Sequence, residues 1–77
     1  MKTDITKEDI ISLREDFFAF SRMRLYGFRT SLTIREIALS MLMEWIIKEF
    51  DYVSIEDKNI CFKEVYAFMG KDFSEYV

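Results

Sequence analysis

DIISLRE, residues 9 to 15, fits two secondary structures, and the choice between them decides the fold. At helical spacing Ile10, Leu13 and the later Phe17 lie on one side. Thr6 followed by Asp9 makes a capping box, in which hydroxyl and carboxylate each accept from the other residue's backbone amide. Glu8 and Asp9 also suit the positive end of a helix dipole. One long helix from about residue 7 to 28 is the local preference. At strand spacing, Ile11 and Leu13 point one way while Ile10, Ser12 and Arg14 point the other. Glu15 and Asp16 would then cap a separate helix over residues 16 to 29.

Downstream the signals are less divided. Thr33 with Glu36 is a second capping box and opens a helix predicted over 33 to 49. Its apolar residues Ile34, Ile37, Ala38, Met41, Leu42, Trp45 and Ile46 keep helical spacing for four turns, opposite Arg35, Glu36, Ser40, Glu44 and Lys48. Upstream, residues 16 to 29 also read as helix, with Phe17, Phe20, Met23 or Arg24, and Gly27 or Phe28 on one side. The segment YVSIEDKNICF, residues 52 to 62, is predicted as a hairpin with Val53 and Ile55 facing Ile60 and Phe62 across EDKN. Ser54 with Asp57 also permits a capped helix there. Residues 62 to 69 read as a helix that Gly70 closes.

Seventy-seven residues make one domain, residues 1 to 77, which buries only ~60% of its unfolded surface. Yet 51% of the residues are hydrophobic and 17% aromatic, more large apolar surface than one small globule easily hides. Part of it is therefore expected at a subunit or partner interface, and a homodimer is the expected form. Histidine is absent and Cys61 is the one cysteine. The usual general base, the commonest metal ligand and any disulfide framework are thereby missing. The expectation is a protein without catalytic activity, cofactor or metal. No apolar leader opens the chain, and the longest apolar stretch, IALSMLMEWII, falls well short of the ~20 residues that span a bilayer. A cytoplasmic protein that does not enter membranes is expected.

The formal charge is −3, but it is unevenly spread. Arg22, Arg24, Arg29, Arg35 and Lys48 stand against only Glu36 and Glu44 in residues 17 to 48, while both flanking segments are acidic. A solvated helix face, or pairing with the acidic ends, accounts for such an island. The alternative is a phosphate-contacting patch. Arginine offers phosphate a planar two-bond fork, and the start of the 33 to 49 helix offers free amides. Arg29, Thr30, Ser31 and Arg35 surround that start.

ISLREDFFAFSRMRLYGFRTSLTIREIALSMLMEWI, residues 11 to 46, resembles the ribbon-helix-helix DNA-binding proteins. Those are dimers whose paired strands enter the major groove. The resemblance implies ISLR as the strand, residues 16 to 29 as the first helix and 33 to 49 as the second. It further implies that Ser12 and Arg14 read bases and that amides near Thr33 hold a phosphate. The expected fold class is thus mainly α: two to three helices with short β elements, or a ribbon-helix-helix dimer.

Two functions follow as expectations. One is a small dimeric regulator of transcription, encoded by a phage, plasmid or antitoxin operon. It would bind double-stranded DNA through Ser12, Arg14, Arg22, Arg24, Arg29, Thr33 and Arg35. The other is a small acidic helical protein that inhibits or adapts another protein through its acidic, aromatic C-terminal third, with Phe62, Tyr66, Phe68, Phe73 and Tyr76.

Overall fold

The computed structural model describes residues 4 to 28 and 31 to 71. Three α-helices occupy most of them: α1 (Lys7–Phe28), α2 (Ile34–Lys48) and α3 (Ile55–Phe68), with one 3₁₀ turn (Phe50–Tyr52) before α3. Each helix packs against the other two.

The stretch 9 to 15 is helical, within one unbroken α1. The box at its start is complete, with Thr6 N–H donating to Asp9 Oδ2 at 2.9 Å and Asp9 N–H to Thr6 Oγ1 at 3.2 Å. Helical spacing then buries Ile10, Leu13 and Phe17 together. A strand would have sent Ile10 and Leu13 to opposite faces. The expected strand ISLR is therefore corrected to helix, and the first helix begins at Lys7 rather than residue 16. Without that strand, the ribbon expected of a ribbon-helix-helix dimer has no segment to form it among the described residues.

The hairpin expected over 52 to 62 is also corrected. Ser54 caps α3, its hydroxyl accepting from Asp57 N–H at 3.1 Å. From there Cys61, Phe62, Val65 and Tyr66 turn inward with helical period. Asn59, buried among them, spends its amide on the Ile55 carbonyl one turn back, at 2.9 Å. No strand occurs among the described residues.

Gly70 closes α3 as its position predicts. It adopts φ +72°. Its N–H reaches the Ala67 carbonyl at 3.1 Å, and the Lys71 N–H reaches Tyr66 at 2.8 Å. This pair of bonds is a Schellman closure, which needs a left-handed residue. An added Cβ would meet nothing within 4 Å, so Gly70→Ala tests backbone strain alone. It should cost about 1 kcal/mol, read as a lower urea midpoint with an unchanged slope.

The core joins Ile10, Leu13 and Phe17 of α1, Leu39, Met43 and Ile46 of α2, and Cys61, Phe62, Val65 and Tyr66 of α3. Ile5, Val53 and Met69 close its ends. Phe17 and Phe68 meet at 5.5 Å between ring centroids, and Lys58 lies 3.7 Å over the Phe50 ring, tying α3 to the preceding turn.

The orientation of α2 turns most of the face marked by the sequence spacing outward, although Ile46 of that face is fully buried and Leu42 packs half-buried on the core. Leu39, Met43 and Ile46 face the core, and Glu36 is fully buried beside them. Ile34 is 87% exposed, Met41 63%, Trp45 46% and Ile37 45%. The physical reason is that α2 is apolar on both sides, so polarity does not choose which side turns inward. Neighbouring helices choose it. Arg14 of α1 pairs with Glu44 at 3.1 Å, and Arg35 pairs with Glu64 of α3 at 3.3 Å.

Candidate functional site

Among the described residues, the expected DNA-contacting side chains are spread over α1 and the start of α2. Ser12 is exposed on α1, beside a cavity of about 80 Å³ lined by Asp9, Leu13, Asp16, Phe62 and Tyr66. Arg14 is half-buried, bonded to Glu44 and lying 5.2 Å from the Phe18 ring centre. Arg22 and Arg24 are exposed near the end of α1. The Arg24 guanidinium covers Phe20 at 5.6 Å and Phe68 at 5.4 Å. Arg35 holds Glu64 from the other side of α2. Arg29 and Thr30 lie outside the described residues. Residues 35 and 44 are nine positions apart and on opposite sides of the helix. Their partners therefore keep Arg14 and Arg35 more than about 10 Å apart along the axis of α2.

Thr33 caps α2, but its groups are engaged. Glu36 N–H donates to its hydroxyl at 3.2 Å, while the Thr33 N–H and hydroxyl donate to Glu36 Oε1 at 2.9 and 2.8 Å. The Thr33 amide, one of those expected to hold a phosphate, is thus taken by a carboxylate of the chain itself.

The described C-terminal aromatics face the core wholly or in part. Phe62 and Tyr66 are core residues, and Phe68 packs against the core half-buried. Phe73 and Tyr76 lie outside the described residues. Of the residues expected on a partner surface, these described rings instead close the domain, because α3 turns them toward α1.

What faces solvent is the outer side of α2. Ile34, Ile37, Ala38, Met41 and Trp45 recur at three- and four-residue steps, so they form one stripe. It lies about half a turn from the buried face of Leu39 and Met43. The ion pairs Arg14–Glu44 and Arg35–Glu64 run along its two edges. An amphipathic helix hides such a stripe in its own core; here the core is already supplied by the other side. The signal available in the sequence was the excess: α2 holds more apolar residues than one packing face uses.

One group with chemical potential remains. Cys61 is fully buried, and burial pushes its thiol up to about 12. It stays protonated at neutral pH, and the thiolate is the reactive form. A disulfide reagent such as DTNB should therefore label native protein only as fast as it unfolds; rapid labelling would contradict the burial. Among the described residues no three Cys, Asp or Glu side chains converge as a metal-ligand set, and no helix is long and apolar enough to cross a membrane.

The fold and this surface define a class: a small three-helix domain that displays an apolar helix face. No protein-family model matches the chain, and no curated protein or solved structure matches it either.

Proposed function

We propose that this chain is a non-catalytic protein-binding domain that engages another polypeptide with the outer face of α2. The observation that carries this is the stripe Ile34, Ile37, Ala38, Met41 and Trp45, exposed although α2 already has a complete inner face. Large apolar groups held in a row on a rigid helix match the groove-filling mode of helix recognition, read as anchors at three- and four-residue steps. Trp and Met are also among the residues enriched at interface centres.

A photo-crosslinking residue placed at Met41, compared with one at the exposed Lys63 on α3, tests the proposal in the producing cell. Protein adducts from position 41 and none from position 63 are expected. Equal labelling at both, or none at either, would remove α2 as a binding face.

A dimeric transcription regulator on double-stranded DNA is the second reading. Its support is the exposed pair Arg22 and Arg24, since exposed ion pairs such as Arg14–Glu44 and Arg35–Glu64 contribute at most about 1 kcal/mol and release their arginines cheaply. Duplex binding that weakens steeply with salt, and weakens again in Arg22→Ala, would favour it. No retention of DNA at low salt would sink it.

A further inference from the structure

We propose that the outer face of α2 is the contact surface of a two-fold symmetric dimer, in which the α2 helices of two copies of this chain lie antiparallel. The proposal rests on this face binding protein and names the occupant as a second copy.

Register supports self-pairing. The stripe runs from Ile34 to Trp45, and its midpoint falls between Ala38 and Met41. A two-fold axis at that midpoint sets Ala38 of each copy against Met41 of the other, and Ile34 against Trp45. The long methionine then meets the smallest side chain of the stripe, at both symmetry-related places. The antiparallel arrangement also sets the positive end of each helix dipole beside the negative end of the other. A parallel arrangement would oppose Met41 to Met41 and align the dipoles.

Charge supports it next. Each copy is acidic, with a formal charge of −3. The face itself carries no unbalanced acid, because Glu44 and Glu64 at its edges are paired with Arg14 and Arg35 of the same copy. Repulsion between the copies is then long-range and screened beyond about 8 Å at physiological salt. A strongly basic partner would instead call for acids on the stripe itself, and Ile34, Ile37, Ala38, Met41 and Trp45 supply none.

Area is the third consideration. At their exposed fractions Ile34, Ile37, Met41 and Trp45 present on the order of 500 Å². Ala38 and the stems of the edge residues bring the face near the ~600 Å² per partner that the smallest specific interfaces bury. The expected dimer is accordingly reversible rather than permanent.

Sedimentation of the full chain from low to high micromolar concentration tests this, together with emission from Trp45, the single tryptophan. Mass should rise toward that of two chains, with a blue shift of the emission over the same concentrations. Added salt should leave the dimer unchanged or strengthen it. Met41→Glu should weaken self-association by roughly a hundredfold, because it would bury a charge without a partner. Ala38→Glu and Met41→Lys should each be monomeric alone yet dimerise when mixed. The mixed dimer then holds one Glu–Lys contact and one native Ala–Met contact. A wild-type chain that stays monomeric, with emission independent of concentration, would overturn the dimer. If position 41 nevertheless crosslinks to a chain of different mass, the binding face survives and only its occupant is wrong. A wild-type dimer with no mixed dimer from the two variants would overturn the antiparallel register.

Discussion

Met43→Ala should lower the unfolding free energy by about 2–5 kcal/mol, whereas Met41→Ala should change it by less than about 0.5 kcal/mol. Both substitutions remove the same atoms from the same helix, so propensity and composition cancel. What differs is direction. Met43 is fully buried among α1 and α3, and Met41 is 63% exposed. Truncating Met43 loses its transfer free energy and leaves a void that the packed core fills only in part. Truncating Met41 removes atoms that mostly face water in the single chain. Urea unfolding of both variants at a concentration too low for self-association gives the comparison. Equal costs, or a larger cost at Met41, would mean that α2 turns its other face inward, and the candidate binding face would be lost with it. At higher concentration the order should invert for association: Met41→Ala weakens self-pairing, and Met43→Ala acts only through unfolding.

The start of α2 was legible in the sequence because it depends on local chemistry, whereas the Ser54 box at the start of α3 was passed over for a hairpin. Thr6 with Asp9, Thr33 with Glu36, and Ser54 ahead of Asp57 each sit at the start of a helix. Gly70 stands where a left-handed residue ends one. Choices between periods were harder. DIISLRE and YVSIEDKNICF satisfy both a helix and a strand, and the tie is broken only by what lies across from them. In the structure Ile10 and Leu13 meet the same core as Val65 and Tyr66, which helical spacing alone permits. The facing of α2 was legible only in part, with Ile46 inside and Arg35, Glu44 and Lys48 outside as their spacing marks them. Its polar residues suggested a wet side containing Glu36 and Ser40, but the Glu36 carboxylate turns inward to satisfy Thr33 and is fully buried. Periodicity reports that a face exists. It does not say which of two apolar faces will be covered. The arginine island is divided for a related reason: Arg24 lies over Phe20 and Phe68 while Arg35 pairs with Glu64.

Phe17→Ala should be the most damaging single truncation, with a cost of about 3–5 kcal/mol. A domain of this length has only about 4–12 kcal/mol in total, so a large part of the population should lose its fixed tertiary structure near body temperature. Phe17 is fully buried where α1 meets α3. Its ring lies 5.5 Å from Phe68 and edge-on to Phe18 at 5.5 Å. The neighbours are placed differently. Phe18 and Phe20 are half-buried, and arginines cover them: Arg14 over Phe18 and Arg24 over Phe20. Water and guanidinium can refill the space left by Phe18→Ala or Phe20→Ala, and these should cost less than half as much. The gradient is specific to α1 as one helix, since Phe17 continues the buried line of Ile10 and Leu13. Near-ultraviolet circular dichroism followed through a thermal scan reads all three variants. A Phe17→Ala protein that melts with Phe18→Ala and Phe20→Ala would show that no single ring joins α1 to α3. The packing that turns the outer face of α2 to solvent would then lack its anchor.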